Sequence, residues 1–387
     1  MTDDGASRWA WAEIDLDALA HNIGAVRTAA APAGVWAVVK ADAYGHGAVA
    51  VGAAALDAGC DGLCVALTAE GVALRRAGIE APILVLSEQP PEHAPALVAH
   101  RLTPTVTTAE AIDALACAGR GTRDGIGVHV KVDTGMHRVG AAPADVPALV
   151  ARIAAATPAV RLQGIFTHLA VADEVDDPYT TRQLAAFDEV LDALPPDVLD
   201  GVVVHAGNSA GGLAHPGARR AFVRVGIAMY GISPGAGVDA LAAVLRPVLS
   251  LRARVSFVKR LAAGSRLSYG LRHQLRRDAN VATVPLGYAD GVRRGLSNVG
   301  DVLIGGRRRR IVGSVTMDQL MVDCGDDDVR RGDEVVLIGR QGDERITAEE
   351  WAARLGTIGY EIVCSIGPRV PRRLIGTPPA AGPAPRQ

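Results

Sequence analysis

Aromatic residues and long hydrophobic runs are scarce in this sequence of 387 residues, and neither sign of charge is in excess. Aromatics make up only 4% of the chain, so Ala, Val and Leu must fill most of the core. No apolar run reaches the ~18 residues of a membrane-spanning helix, so we predict no contact with a membrane. The 40 Lys and Arg residues against 42 Asp and Glu give a net charge of -2, which excludes a general attraction to nucleic acid. The predicted partners are small molecules.

Cysteine is also sparse, and its five positions are scattered. Cys60 and Cys64 are the one pair near enough in sequence to act as metal ligands, but they flank an apolar segment and are predicted to be buried. The acidic start, Met1 to Gly5, lacks the basic and apolar stretches of a signal peptide. We therefore predict reduced thiols, no metal and a cytoplasmic location.

Lysine is the rarest charged residue, since only Lys40, Lys131 and Lys259 occur among the basic residues. The preference for Arg is typical of a high-GC genome, in which Arg replaces Lys wherever a positive charge is sufficient. A lysine that persists against this bias can owe its place to a titratable, nucleophilic amine, which Arg does not supply. Chance survival remains the alternative for any one of the three.

Short apolar runs alternate with Ala-rich stretches of helical periodicity through the first 240 residues. The eight runs are Val35–Val39, Leu63–Ala66, Ile83–Leu86, Pro104–Val106, Val128–Val132, Leu162–Phe166, Val202–Val204 and Val223–Ile227. Continuous apolar strands separated by helices indicate a parallel sheet covered on both faces. Eight such units predict an α/β fold, a TIM-like (β/α)8 barrel over residues 12–243. An open doubly wound sheet is the alternative, although the first strand-to-helix turn lacks a G-x-G-x-x-G fingerprint.

The remainder of the chain changes to short strands separated by Gly, Asn and Asp turns. It predicts a mainly-β C-terminal domain over residues 244–376, joined by an N-terminal strand at 8–15, with a strand at Ile311–Val315 and a helix at Ala348–Leu355. The Arg307–Arg310 run is interpreted as a solvated edge rather than a nucleic-acid site. The Pro-rich tail, 377–387, is predicted to be disordered.

Chemistry in such barrels sits where the strands end. Lys40 follows the first run directly, and the loops after the seventh and eighth runs, the usual phosphate site of these barrels, carry Ser209 and Gly226. A lysine combined with a phosphate site suggests pyridoxal 5′-phosphate (PLP), since Schiff-base formation requires an amine. A surface charge is the alternative for Lys40, but the apolar run before it argues against full exposure.

Seven motifs occur in order along the chain: VVKADAYGHG at 38–47, DTGMHR at 133–138, NSA at 208–210, RVGIAMYG at 224–231, SYG at 268–270, GYADG at 287–291 and TMD at 316–318. With these motifs in this order, the chain resembles the alanine racemases, which are fold-type III PLP enzymes. The resemblance runs from Trp11 to about Leu374, nearly the whole chain.

The resemblance implies two catalytic bases on opposite faces of the substrate. Lys40 holds PLP as a Schiff base and acts as one base, and Tyr269 from the partner subunit acts as the other. A homodimer with shared active sites follows. Arg224 meets the pyridine nitrogen, where related decarboxylases place an acidic residue. Taken without the resemblance, Tyr269 could be a buried aromatic and Arg224 half of a structural ion pair.

The resemblance also assigns the remaining contacts of cofactor and substrate. Those of the cofactor phosphate are Tyr44, Asn208, Ser209, Gly226, Ile227 and Tyr360. Arg138 and the backbone of Met317 hold the substrate carboxylate, and Lys131, as a possible carbamate, positions that arginine. His168 belongs to the hydrogen-bond chain around Tyr269 and Arg224. Tyr288 narrows the entry.

The implied function is interconversion of L- and D-alanine, which supplies D-alanine for peptidoglycan. A broader amino-acid racemase and a decarboxylase of the same fold type are the alternative enzymes. A non-catalytic PLP carrier is the alternative outside catalysis, but such carriers lack a second domain. Substrate breadth depends on the volume of the cavity.

Overall fold

A computed structural model describes residues 8–122 and 125–377, which form two compact units. Of the described residues, the barrel unit comprises Leu19–Ala43 and Gly47–Arg246, and the β unit comprises 8–18, Tyr44–His46 and 247–377. Within the described ranges no helix has the length and hydropathy to cross a membrane. Of the tail predicted to be disordered at 377–387, only Thr377 lies inside the described residues.

The barrel unit contains an eight-stranded parallel sheet. The first strand of the chain, β1 (Ala10–Asp15), belongs to the β unit, and the barrel strands are β2 (Gly34–Val38), β3 (Gly62–Val65), β4 (Ile83–Val85), β5 (Thr103–Val106), β6 (Ile126–Lys131), β7 (Val160–Phe166), β8 (Val203–His205) and β9 (Phe222–Val225). Their order is β8-β7-β6-β5-β4-β3-β2-β9. Backbone hydrogen bonds from Ala221 N to Val204 O (3.0 Å) and from Arg224 N to Gly207 O (2.9 Å) join the two end strands. The predicted barrel is therefore confirmed.

Helices cover the barrel strands and explain why those strands are apolar on both faces. They are α1 (Leu16–Ala30), α2 (Lys40–Gly45), α3 (Ala48–Asp57), α4 (Thr68–Arg76), α5 (Ala94–Ala99), α6 (Ala109–Gly119), α7 (Val146–Ala155), α8 (Tyr179–Asp192), α9 (Ser209–Ala214) and α10 (Asp239–Ala242). Helix α7 is representative, because it buries Val146, Leu149, Val150 and Ile153 at the spacing of one helical face. All four residues of β3 and of β9 are buried.

Element α2 is a left-handed turn that starts at Lys40. Ala41, Asp42, Ala43 and Tyr44 have φ angles of 52°, 52°, 54° and 54°, although none of them is glycine. A left-handed helical conformation costs an L-residue roughly 1–2 kcal/mol, because Cβ approaches the following carbonyl oxygen. Strain of this kind persists only where the surrounding structure imposes it. It is concentrated here in the residues that follow Lys40.

In the part of the β unit that the structure describes, three sheets combine with the α-helices α11 (Ala348–Leu355) and α12 (Gly359–Cys364). Besides β1, its strands are β10 (Leu249–Arg254), β11 (Phe257–Leu261), β12 (Arg266–Leu267), β13 (His273–Gln274), β14 (Ala279–Val284), β15 (Asp301–Ile304), β16 (Arg307–Arg310), β17 (Leu320–Gly325), β18 (Glu334–Gln341), β19 (Glu344–Ile346) and β20 (Arg372–Ile375). The largest sheet has the order β16-β15-β18-β10-β1-β20, with β19 beside β18. Strand β1 pairs with β10 on one side and β20 on the other. The predicted mainly-β character of this part of the chain is confirmed.

The prediction of a strand at Ile311–Val315 is wrong. Only Ile311 forms an isolated bridge, with Val322. Gly313 has a φ of 75° and its amide donates to the Asn298 side chain at 2.7 Å, while the Val315 amide donates to Ser297 Oγ at 2.9 Å. Side chains therefore take the hydrogen bonds that a neighbouring strand would have made.

The arginine run forms the edge strand β16, and each of its side chains pairs with a carboxylate. Arg308, for example, contacts Glu350 at 2.7 Å and Glu344 at 2.9 Å. The positive charges of the run are therefore paired with carboxylates of the β unit itself.

Glycine at position 41 tests the strain in the left-handed turn. Ala41 is exposed, so Ala41→Gly removes no packing, and glycine adopts a positive φ without the steric cost. We expect the free energy of unfolding to stay unchanged or to rise by up to about 1 kcal/mol. The matched control is Ala185→Gly, on the exposed face of right-handed helix α8, which should lose about 1 kcal/mol. Equal losses in urea denaturation of the two variants would contradict the assignment of strain.

Candidate active site

The carboxyl ends of neighbouring barrel strands bring the predicted cofactor residues to one end of the barrel. Strand β2 pairs with β9, with Ala37 opposite Val225. Lys40 follows β2 and Gly226 follows β9, so both leave the sheet at the same end. Ser209 follows β8, which adjoins β9 at the closure of the barrel. This is the end at which barrel enzymes place their chemistry.

Ser209 organises the predicted phosphate site. Its buried Oγ accepts hydrogen bonds from the Gly226 amide at 3.0 Å and the Ala228 amide at 3.5 Å, across the turn in which Ile227 lies. The neighbouring Asn208 side chain has a structural task, because its Oδ1 accepts the Gly211 amide at the start of α9. A hydroxyl and several backbone amides thus converge beyond the ends of β8 and β9.

Arg224 is a buried guanidinium, 3% exposed, that is held by neutral acceptors. Its NH1 donates to His205 Nδ1 at 2.7 Å, and its NH2 donates to the carbonyls of Thr167 and Ala206 and to His168 Nδ1. No carboxylate among the described residues pairs with it, so the alternative of a structural ion pair is wrong. Burial lowers the pKa of Arg224 to about 10. Its Nε–H donates to no described residue.

The hydrogen bonds of Arg224 extend to two histidines, His205 and His129, that the sequence analysis did not assign. Arginine only donates, so Nδ1 of His205 accepts, and Nε2 must carry the proton that is donated to His129 Nδ1 at 2.9 Å. Burial lowers the pKa of His129 to about 3 and that of His205 well below its usual value, so both rings are neutral. Gly164 on β7 leaves room for His129, because a Cβ there would lie 2.6 Å from the ring. The signal in the sequence that could have identified His129 is its position as a polar residue inside the apolar strand β6.

Four positively charged side chains of the barrel unit shift the pKa values at the candidate site. The pKa of His168 is lowered well below its usual value by burial and by the charges of Arg224, Lys131, Arg138 and Lys40. Burial, Arg138 and Arg224 lower the pKa of Lys131 to about 8. Four cations in one electrostatic neighbourhood favour anionic ligands such as a phosphate or a carboxylate.

The loop that carries Arg138 is held by side chains on both sides. Asp133 Oδ1 accepts the amides of Gly135 at 3.0 Å and His137 at 2.9 Å, and the Tyr179 hydroxyl donates to Gly135 O at 2.8 Å. The arginine therefore extends from a loop with a defined backbone.

Three predicted residues of the β unit line one cleft of about 430 Å³. Tyr269, Tyr288 and Met317 share it with Arg294 and Asp318. Tyr269 is 77% exposed, so the alternative of a buried aromatic is wrong. Elsewhere in the same unit, the rings of Tyr44 and Tyr360 lie 6.2 Å apart between centroids.

The loops of Tyr288 and Met317 are joined by backbone contacts. The Tyr288 amide donates to Thr316 O at 2.9 Å, and the Ala289 amide donates to Met317 O at 3.1 Å. A Cβ at Gly287 would lie 2.3 Å from both carbonyl oxygens, so only glycine permits this approach. Near these loops lies the fully buried Asp290 carboxylate, to which Arg8 donates two hydrogen bonds. The sequence analysis did not find this anchor.

Two family models match the chain: "Alanine racemase, N-terminal domain" over residues 14–234 and "Alanine racemase, C-terminal domain" over residues 248–374. The alanine racemase of Symbiobacterium thermophilum is 49% identical, covering 94% of this chain and 96% of the relative. That of Thermobifida fusca is 45% identical, covering 96% and 99%. A crystal structure of alanine racemase from D-cycloserine-producing Streptomyces lavendulae has a TM-score of 0.89 and 38% identity, covering 96% of this chain and 98% of that one.

The neutral histidines predict an acid-dependent loss of stability. The pKa of His129 is about 3 in the folded chain against 6.5 for a free histidine, so the unfolded chain binds this proton first. The stability is present above pH 6.5 and lost as the pH falls toward 3. His129→Gln retains an acceptor for His205 but does not titrate, so the pH slope of unfolding free energy should decrease by ~1.4 kcal/mol per pH unit in this window.

The control is His100→Gln, since the His100 ring makes no hydrogen bond to the described residues. Denaturant unfolding from pH 7 to pH 4 measures both slopes. An unchanged slope in His129→Gln would contradict the neutral state of this ring.

Proposed function

The chain belongs to the alanine racemase family, as its motifs predicted, and we propose that it interconverts L- and D-alanine with PLP held on Lys40. Lys40 and Tyr269 move protons at opposite faces of the substrate Cα. The proton that leaves one face must be replaced from the other, so racemisation requires an acid-base group on each side.

The donor set at the end of the barrel fits PLP. The cofactor has an aldehyde, a phosphate and a pyridine nitrogen, and the barrel offers an amine, an anion site and a buried donor. Lys40 binds the aldehyde carbon, and the phosphate contacts are Tyr44, Asn208, Ser209, Gly226, Ile227 and Tyr360. Bound PLP supplies an electron sink that lowers the barrier to removal of the Cα proton.

Arg224 is the observation that carries this proposal. Its acceptors are neutral, and both Nε–H and one N–H of NH1 donate to no described residue, so the guanidinium keeps a donor for the pyridine nitrogen. Even with its pKa lowered to about 10, the guanidinium is protonated at neutral pH and cannot pass a full proton to the ring. This restrains electron withdrawal and favours return of the proton to Cα. A carboxylate at this position would stabilise the protonated ring nitrogen, so Arg224 favours racemisation over decarboxylation.

Substrate binding is assigned to the alanine carboxylate. Arg138 suits a bidentate contact with a carboxylate, and the Met317 amide supplies a second donor. Burial and the neighbouring cations lower the pKa of Lys131 to about 8, which increases the share of neutral amine near neutral pH, and this form combines with carbon dioxide. The resulting carbamate would be an anion beside Arg138 and would relieve the repulsion between the two cations.

The second base is assigned to the partner subunit. Tyr269, Leu271, Tyr288 and Met317 are all at least 44% exposed, and this apolar surface of the β unit supports coverage by a second copy of the chain. In the homodimer, Tyr269 of the partner subunit completes the site around Lys40. Tyr288 narrows the entry, and His168 links Arg224 to the proton-transfer site.

The biological role that we propose is the supply of D-alanine for peptidoglycan, in the cytoplasm. Five free cysteines, three of them buried, support a reducing compartment.

Borohydride reduction tests the PLP attachment. Reduction of the loaded enzyme followed by peptide mapping should locate the pyridoxyl group on Lys40. Lys131 and Lys259 are internal controls, because they are the only other lysines. A label on either one instead of Lys40 would remove the assignment.

Arg224→Glu tests the contact with the ring nitrogen. The carboxylate should allow the ring to be protonated, so racemisation should slow and transamination, measured as pyruvate release per D-alanine formed, should increase. Arg182→Glu, at an exposed position of α8, serves as the control for the charge change. Normal racemisation without added pyruvate would be incompatible with this role of Arg224.

Tyr269→Ala tests the division of labour between the two bases. The resemblance assigns the proton of D-alanine to Lys40 and that of L-alanine to Tyr269. Cα deuterium exchange from L-alanine should therefore fall ~10²–10⁴-fold, and much more than exchange from D-alanine. Equal losses for both enantiomers would overturn the two-base assignment.

Mixed dimers test the shared site. Lys40→Ala chains combined with Tyr269→Ala chains should regain activity, because each heterodimer has one intact Lys40 and Tyr269 pair across the interface. If verified heterodimers stay inactive, the site is not shared.

A further inference from the structure

Glu70 makes a contact that the proposed chemistry does not yet use. It lies in the first turn of α4, after β3, and its Oε2 accepts the amides of Ala66 at 2.8 Å and Leu67 at 3.1 Å. These bonds close the N-terminus of its own helix as in a capping box. They also fix the side chain, so that Oε1 has one orientation.

The second oxygen of this carboxylate reaches the turn that follows Lys40. Glu70 Oε1 accepts the Ala41 amide at 2.7 Å, from the loop after the neighbouring strand β2. Ala41 is the first of the four left-handed residues, none of which prefers that conformation. A hydrogen bond to a charged acceptor is stronger than one between neutral groups, so this contact opposes the relaxation of the strained residues.

Two further bonds hold the far end of the same turn. The Asp42 carbonyl accepts the Gly47 amide at 2.9 Å, and the Asp42 carboxylate accepts the Ala48 amide at 2.8 Å. At the near end, the Ala43 amide donates to Val39 O at 2.8 Å. Glu70 thus connects the first residue of the turn to the segment that follows the neighbouring strand β3.

We propose that Glu70 is a positioning residue for Lys40, and that its Oε1 holds the strained turn which determines where the Lys40 amine stands. This inference rests on the proposed role of Lys40. The backbone that leaves Lys40 would otherwise relax toward right-handed or extended conformations, and the amine would move with it. A displacement of ~1 Å in a catalytic group can cost ~10²-fold in rate.

Glu70→Gln separates this role from helix capping. Glutamine serves in a capping box as glutamate does, so its oxygen can continue to accept Ala66 and Leu67. Its NH2 then faces the Ala41 amide, and two donors cannot bond. The matched control is Glu88→Gln, since Glu88 follows β4 and accepts the amides of Thr107 and Thr108 after β5, away from Lys40.

Hydrogen exchange in the PLP-loaded enzyme is the first measurement. In Glu70→Gln, amides of residues 41–47 should exchange ~10-fold faster or more, while peptides from α4 keep their protection. In Glu88→Gln, residues 41–47 should exchange as in the wild type. Unchanged exchange at 41–47 in Glu70→Gln overturns the proposal.

Half-reactions give the second measurement. A displaced Lys40 amine should slow Cα deuterium exchange from D-alanine by ~10-fold or more, with a smaller effect on L-alanine, which relies on Tyr269. Equal slowing of both half-reactions, as a general folding defect would produce, overturns the proposal. The visible absorbance of the lysine-bound cofactor, titrated with pH, should shift in Glu70→Gln and not in Glu88→Gln.

The double variant Glu70→Gln/Ala41→Gly identifies the cause. Glycine adopts the left-handed conformation without strain, so it should restore part of the lost D-alanine exchange. Absence of any recovery assigns the loss to the capping of α4 and overturns the proposal.

Borohydride mapping of the same variants keeps the two hypotheses apart. A pyridoxyl label on Lys40 with normal exchange at 41–47 rejects only the role of Glu70. A label on another lysine rejects the proposed function itself.

Discussion

The site depends on one buried charge that has no counter-charge among the described residues. Arg224 lies inside the barrel with imidazole nitrogens and carbonyl oxygens as its acceptors. Because a guanidinium cannot accept a hydrogen bond, it dictates the tautomer of His205, and His205 in turn dictates that of His129. Both rings must stay neutral beside the cation. Arg224, a permanent hydrogen-bond donor, thus determines which nitrogen of His205 and His129 carries the proton inside the barrel.

That arrangement has a direct chemical consequence. A carboxylate beside Arg224 would neutralise it and would leave an acceptor where the site needs a donor. Neutral acceptors instead preserve its charge. The pKa values of His168 and Lys131 are lowered first by burial and then further by this positive potential. The potential suits the phosphate of a cofactor and the carboxylate of an amino acid. It also agrees with the carbamate that we propose on Lys131, because an amine can change the sign of its charge in this way and a guanidinium cannot.

A second constraint acts on the backbone at the same end of the barrel. Carboxylates hold the strained turn after Lys40. One oxygen of Glu70 accepts the Ala41 amide in this turn, and the other accepts the amides of Ala66 and Leu67 before α4. In the β unit, the Asp290 carboxylate holds the loop of Tyr288 in a comparable way, because it accepts the Gly287 amide and two hydrogen bonds from Arg8. In each case a buried or partly buried carboxylate stabilises loop backbone that regular secondary structure does not hold. Functional side chains sit on such loops, while the strands supply only their starting points.

The sequence alone determined the barrel, the β-rich second half and the family, because apolar runs and motif order are local properties. It placed Lys40 and Gly226 at strand ends for the same reason. It failed at Ile311–Val315, where Asn298 and Ser297 take the backbone amides. Contacts between distant segments were decided only in the tertiary structure. The acceptors of Arg224, the ring of His129 inside β6 and the bond from Ala41 to Glu70 join residues far apart in the chain, and no periodicity encodes such pairs.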